Sequence, residues 1–334
     1  MLRLTLRLTT FILLVSIILV VISIGIGQSR NADVITFMAE FDEQTDIYQY
    51  DPISHELINL TNSPYPEWSF GWSSNGALLY TATVNVTQAA DELFVMTRLG
   101  DEQFIDTPDT LYSFGGVWSP DGTTLAYFSS HPRNYSDIYT INFPELTIRN
   151  LTETETISES NPLWSPDGTQ LLYRLDGDLY LLDVETTDSQ RLVDLAGTIE
   201  MPVWSPDAQS IAFYIRTWVD GRNVLSAYIV SRDGNDLQQL DVPLTINSPV
   251  SWSPDSQQLA LTVEDTNLAI YTIATHNTET IEGENRRFAP AWSPDGRWVS
   301  FIENRQLNIY DVENDDIQTL LTDGRVKPPL LWQP

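Results

Sequence analysis

Trp118-Ser119-Pro120-Asp121-Gly122 decides the fold, because it recurs. Copies or close variants begin at Trp72, Trp164, Trp204, Trp252 and Trp292, 40 to 48 residues apart. Trp332 follows the last copy by another 40 residues. In each copy an apolar residue and Trp end a short strand. Proline then presets φ for the second position of a type I turn, Asp follows, and Gly takes the left-handed residue that completes a bulged hairpin. A second strand follows, as in residues 124–128 or 171–173. A third carries an aliphatic-aromatic pair: Leu93-Phe94, Ile138-Tyr139, Leu179-Tyr180, Ala227-Tyr228, Ile270-Tyr271 and Ile309-Tyr310. A fourth, often ending in Leu-Thr, closes the unit. Four short antiparallel strands per repeat of this length are the pattern of a β-propeller blade.

The two ends of the repeat region complement each other. Residues 34–40, 45–50 (with Ile47-Tyr48) and 56–61 read as second, third and fourth strands with no first strand before them. Residues 329–332 read as a first strand with nothing after it. Pairing them removes two exposed sheet edges. The expected fold is an all-β, seven-bladed β-propeller with six whole blades and one shared by the termini. Ala208 and Ser256 stand where the other turns have glycine, so those turns are expected to be strained or to change type.

Composition narrows the chemistry. The 334 residues include no cysteine, which excludes disulfides, thiolate metal sites and a cysteine nucleophile. Only 3 histidines are present. His131 falls in a loop between second and third strands, whereas His55 and His276 fall between third and fourth strands of separate blades. They cannot converge on one metal, and no cofactor is expected. Lys+Arg is 17 against Asp+Glu 46, a net charge of -29. So acidic a surface repels phosphate backbones, which argues against nucleic acid as a partner.

Arg3 and Arg7 precede an apolar run from Leu8 to Gly27 that is long enough to span a bilayer as a helix. The charge bias places residues 1–7 in the cytoplasm, an anchor at 8–27, a linker at 28–32, and a propeller at 33–334 outside the cytoplasm, periplasmic or at the cell surface. A cleaved signal peptide ending near Gly25-Ile26-Gly27 is the alternative, with the same consequence for the bulk of the chain. Either way, the membrane counts as a partner through residues 8–27.

The W-S-P-D-G…L-A-F…D-I-Y repeat resembles the WD-like repeat of TolB-type β-propellers, found in exported bacterial proteins and in relatives of prolyl oligopeptidase. The resemblance covers residues 33–334 and implies the fold together with a binding role at the cell envelope. Two departures limit it. TolB places an α/β domain before a six-bladed ring, and prolyl oligopeptidase relatives add a hydrolase domain that has no counterpart here.

The search for chemistry returns mainly structure. The turn residues Asp121, Asp167, Asp207, Asp255 and Asp295 repeat once per blade, as turn positions do and catalytic groups do not. The repeat tryptophans Trp72, Trp118, Trp164, Trp204, Trp252, Trp292 and Trp332 read as wedges between blades. Asn59, Asn85, Asn134 and Asn150 match the glycosylation pattern, as a Thr-rich chain does by chance. Gly71-Trp72-Ser73-Ser74-Asn75-Gly76 only half resembles a nucleophile elbow and sits in a β-turn.

The open region is the mouth of the central channel, lined by loops between successive blades and by loops between second and third strands. Its candidates are Glu67, Trp68, Phe70, Phe114, Glu159, Glu200, Arg286, Arg287, Phe288 and Arg325, with His131, Arg133, Tyr135 and Trp218 from the second set. Arginines there could hold a carboxylate, a phosphate or an acidic peptide, or simply balance nearby glutamates. The expectation is a non-enzymatic binding or scaffold module for an envelope protein or peptide. The alternatives are a carbohydrate-active enzyme using paired carboxylates such as Glu159 and Glu200, and a small-ligand sensor.

Overall fold

The computed structural model describes residues 34–333, except 42–43, 86–89, 98–99, 101, 106–111, 131–134, 155, 245–247 and 323–324. The expected cytoplasmic segment, anchor and linker therefore lie outside the described residues. No helix among the described residues is long and apolar enough to cross a membrane.

Among the described residues, twenty-eight strands form seven four-stranded antiparallel sheets. Blades 1 to 6 span residues 67–104, 112–150, 159–191, 198–239, 251–281 and 287–321. In the seventh, the strand Val326–Trp332 pairs with Ile35–Phe41, which pairs with Gln44–Tyr50 and then Leu57–Asn59. The ring thus closes where the tail meets the head, in the register Ile35↔Trp332, Phe37↔Leu330 and Ala39↔Val326. Glu40 ties the joint from the side, receiving Arg325 at 2.9 Å and Lys327 at 3.0 Å. Lys327 first and Arg325 second hold its carboxyl below the usual range.

The turns show why Ser and Asp recur two residues apart. The Ser119 hydroxyl donates to Asp121 Oδ1 at 2.6 Å, and the Thr123 amide donates to the same oxygen at 3.0 Å. The Thr124 amide in turn donates to Ser119 Oγ at 2.9 Å. The Ser–Asp bond repeats at Ser165–Asp167, Ser205–Asp207, Ser253–Asp255 and Ser293–Asp295, and Asn75 replaces Asp for Ser73. These aspartates are turn acceptors. Ala208 (φ 58°) and Ser256 (φ 60°) adopt the left-handed conformation that Gly122 (69°) and Gly168 (72°) use. The turn type is therefore kept and the strain is local. Ser256 offsets part of it, since its hydroxyl accepts the Asp207 amide of the neighbouring turn at 3.1 Å.

The repeat tryptophans wedge between blades, and five of them are 6–8% exposed. Their indole N–H groups alternate in use. Trp72 donates to Thr36 Oγ1, Trp164 to Val117 O, Trp252 to Val203 O and Trp332 to Ala291 O, each reaching the preceding blade at 3.0–3.3 Å. Trp118, Trp204 and Trp292, in the blades between, have buried indole nitrogens with no acceptor.

Inner strands carry a bulge that the repeat pattern does not announce. Gly115, Asn161, Met201 and Ala289, each three residues before its Trp, have positive φ. Pairing slips by one residue there, between Ser160 and Leu163 in blade 3 and at the matching places in blades 2, 4 and 6. One extra residue reverses the alternation of faces beyond it. The residue five before Trp therefore faces the preceding blade, as the Trp does.

Candidate functional site

That reversal decides which mouth candidates are accessible. Glu159, five residues before Trp164, is 0% exposed, and Glu67, five before Trp72, is 1% exposed. Both are buried in seams between blades and do not line the channel mouth. Phe70 also leaves the set, because it is buried in the core with Met38, Ile47 and Tyr80. Arg287 occupies the matching position of blade 6 and is buried as well. Its Nε meets Glu303 at 3.3 Å, an N–H donates to Ile281 O at 3.1 Å, and the guanidinium lies 5.1 Å from the Phe301 ring centre.

Most of the remaining described cations are balanced locally. Arg325 is spent on Glu40. Arg286 is exposed and lies over the half-buried ring of Phe288, 6.0 Å from its centre. Arg133 and His131 lie outside the described residues, as does the side chain of Phe114. Tyr135 is half-buried at the foot of its hairpin. Trp68 is 58% exposed, with its indole N–H donated to Thr83 Oγ1 at 2.6 Å.

The carboxylate pair considered for sugar chemistry does not form a catalytic pair. Glu200 is held by a two-point ion pair with Arg216, at 2.8 and 2.9 Å. Glu159 has no path to substrate. A glycosidase needs both groups facing one bound sugar. Among the described residues no group of three or more His, Asp or Glu is placed to hold a metal ion. His55 and His276 are turn residues at positive φ, each bonded to a tyrosine hydroxyl five residues earlier, Tyr50 at 2.9 Å and Tyr271 at 3.0 Å. The glycosylation pattern is structural at two of its positions. Asn59 Nδ2 donates to Asp46 at 2.6 Å and Asn150 Nδ2 to Asp137 at 2.7 Å.

Blade 4 differs from the rest at this face. Its second and third strands, Ser210–Val219 and Arg222–Ser231, run ten residues each, longer than any other strand. They pair to the tip at Val219↔Arg222, and both turn residues, Asp220 (φ 49°) and Gly221 (φ 77°), are left-handed. Such a two-residue turn matches the strand twist and makes the hairpin stiff. Trp218 is 70% exposed on it, with Val219 at 48% and Val224 at 40%. The Arg216–Glu200 pair braces the base of the face that carries Trp218. Sequence reading found Trp218 but not the length of its support.

Three cavities accompany these features. A 330 Å³ hollow beside the mouth is lined by Glu282, Glu284, Asn285, Arg287 and Glu303. Inner strands of blades 4, 5, 6 and 7 enclose an apolar cavity of 560 Å³, lined by residues such as Val203, Val250, Ala291 and Leu331. A polar groove of 790 Å³ lies between blades 2 and 3 on the opposite, turn-bearing face, among Asp121, Asn142, Arg149 and Asp167.

With the sheet order and closure established, solved structures can be compared. TolB from Acinetobacter baumannii superposes with a TM-score of 0.57 at 16% identity, covering 76% of this chain and 64% of that one. The putative TolB from Agrobacterium tumefaciens gives 0.51 at 17%, covering 86% and 87%. The fold is a TolB-type β-propeller. Oligogalacturonate lyases share the architecture. One in complex with manganese gives a TM-score of 0.60 at 12% identity, covering 85% of this chain and 83% of that one. No family model matches this chain. Among curated proteins it resembles a probable dipeptidyl peptidase 4 of Emericella nidulans, 29% identical over 165 residues. That match takes in 44% of this chain but only 20% of the relative, so the chain spans a small part of that protein's length.

Proposed function

We propose that this propeller is an extracytoplasmic binding module, held at the cell envelope by residues 8–27, that presents its channel-mouth face to a protein or peptide partner. The observation that carries the reading is the blade 4 hairpin. A large aromatic ring held in solvent on a stiff, fully paired support is costly to keep exposed and is the residue type that anchors interfaces. Val219 and Val224 extend the apolar tip. The TolB neighbours support a binding role by fold. The lyase neighbours and the partial likeness to a peptidase support the enzyme alternative.

A photo-crosslinking side chain introduced at Asn223, the exposed cross-strand partner of Trp218 on the same face, tests the reading in the native envelope. One discrete adduct is expected, and Trp218→Ala should reduce it at least tenfold while leaving the melting temperature unchanged. An adduct insensitive to Trp218→Ala, or turnover of a glycan panel without any adduct, would overturn the binding reading.

A further inference from the structure

Two seams of the ring bury acid against acid. In the seam between blades 2 and 3, Glu159 (0% exposed) begins the inner strand of blade 3, and Asp137 (7% exposed) lies near the start of the third strand of blade 2. Thr154, from the connecting loop, stands between them. Its hydroxyl oxygen lies 3.2 Å from Asp137 Oδ1, 3.1 Å from Glu159 Oε2 and 3.0 Å from Ile157 O. One hydroxyl carries one proton, so at most one of these three oxygens receives it. Asp137 is otherwise well supplied, by the Thr154 amide at 3.0 Å and Asn150 Nδ2 at 2.7 Å. Glu159 is not. Its Oε1 is buried with no donor, and the Thr152 hydroxyl, which accepts the Ile138 amide at 3.1 Å, donates to Oε2 only at a long 3.5 Å.

Among the described residues, the charged and titratable groups facing the pair add no cation. Glu153 belongs to the same loop, and Tyr135 precedes Asp137 by two residues. Tyr139, on the strand of Asp137, is raised by burial and further by Asp137 and Glu153. Tyr173, on the adjoining strand of blade 3, is raised by burial and also by the charge of Glu159. Glu155, His131 and Arg133 lie outside the described residues.

The network is therefore one proton short. A proton on Glu159 completes it: the carboxyl donates to Thr154 Oγ1, whose own proton then goes to Asp137 or Ile157 O. We propose that the seam between blades 2 and 3 is a pH-sensitive latch, closed by a proton shared among Glu159, Thr154 and Asp137 and loosened when that proton leaves. The spacing D-I-Y…N-L-T…E recurs at Asp46, Asn59, Thr61 and Glu67, where the closing blade meets blade 1. There Asn59 donates to Asp46 at 2.6 Å and Thr61 to Glu67 at 2.8 Å, and both acids are buried. In the second seam Ser63 stands in the position of Thr154, and its hydroxyl accepts the Tyr65 amide at 3.1 Å, so the three-way contact of Thr154 is seen in the first seam.

Burial first, and then the Asp137 charge, push Glu159 up to about 7. A carboxyl raised in the folded state stabilises the fold fully below its unfolded value near 4.5, and that contribution is lost as pH rises through about 7. Opening would free Thr154 and the exposed Ile157, whose carbonyl the Thr154 hydroxyl meets at 3.0 Å. The inference stands apart from the choice of partner, because its readouts need none.

Hydrogen exchange of the full chain between pH 5 and 9, after correction for intrinsic base catalysis, tests it. Protection of the Thr154 amide should fall by up to about tenfold per pH unit between about pH 5 and 7 and level off above about 7. Glu159→Gln, which supplies a permanent donor, should abolish that fall. Asp137→Asn removes the neighbouring charge and should shift the midpoint to lower pH, which a carboxyl ¹³C titration of Glu159 reads directly. PH-independent protection in the parent chain, or an ordinary acidic midpoint for Glu159, would overturn the proposal. So would stabilisation by Ca²⁺ alone at pH 8 that disappears in Glu159→Gln, since a cation would then hold the place assigned to the proton.

Discussion

Removing residues 325–334 should open the ring. The truncation deletes a strand whose Val326, Leu330 and Trp332 are 1%, 4% and 8% exposed. At about 1.5–3 kcal/mol for each large buried side chain, their transfer alone amounts to roughly 5–9 kcal/mol. The single indole N–H of Trp332, shared between Ala291 O and Ser300 Oγ, both at 3.0 Å, adds about 1 kcal/mol. The Glu40 ion pairs are partly exposed and contribute little. Ile35 and Phe37, both 0% exposed, would meet water along the orphaned edge. Set against a total of about 5–15 kcal/mol for a typical domain, the loss is comparable to the whole stability. Calorimetry should show a melting temperature lower by about 10–30 °C, or no cooperative transition. Trp332→Phe keeps most of the wedge but not the N–H, and should cost only about 1–3 kcal/mol. A truncated chain melting within about 2 °C of the full one would refute closure by the shared blade.

Other expectations follow from single residues. Ala208→Gly should stabilise the chain by about 0.5–1 kcal/mol in urea denaturation, because glycine adopts the observed φ of 58° without strain. Glu40 titrates below its usual value of 4.5 beside Lys327 and Arg325, so its contribution is present above that value and is lost as pH falls. Glu40→Gln should therefore remove a loss of stability below about 4.5, whereas Glu159→Gln should remove a loss of stability as pH rises from about 4.5 to about 7.

The fold was legible because the turn chemistry is local. Ser-Pro-Asp-Gly states its conformation within five residues, and the Ser–Asp bond that locks it joins residues two apart. The shared blade was legible from strand bookkeeping at the two ends. The mouth was legible only in part. Two-residue periodicity places Glu159 and Trp164 on opposite faces, and the bulge between Ser160 and Leu163 places them on the same one. That bulge depends on left-handed residues as different as Gly115, Asn161, Met201 and Ala289, so no residue type announces it. Glu67 and Arg287 were misplaced with Glu159, and Phe70 was misread beside Glu67. Trp218 was found because it falls in a connection between second and third strands, and the paired hairpin that Asp220-Gly221 closes was not read.

The alternation of the indole donors divides the ring unequally. A buried donor left without an acceptor costs about 1–3 kcal/mol, and this penalty falls on every second joint: before blade 2, before blade 4 and before blade 6. The joints between are fastened by Trp72, Trp164, Trp252 and Trp332. Seven sheets so joined form three stiffer groups: blades 2 with 3, blades 4 with 5, and blades 6, 7 and 1 together. Thermal breathing should start along the three looser lines, and a wheel of odd number thus acquires a threefold pattern of hinges.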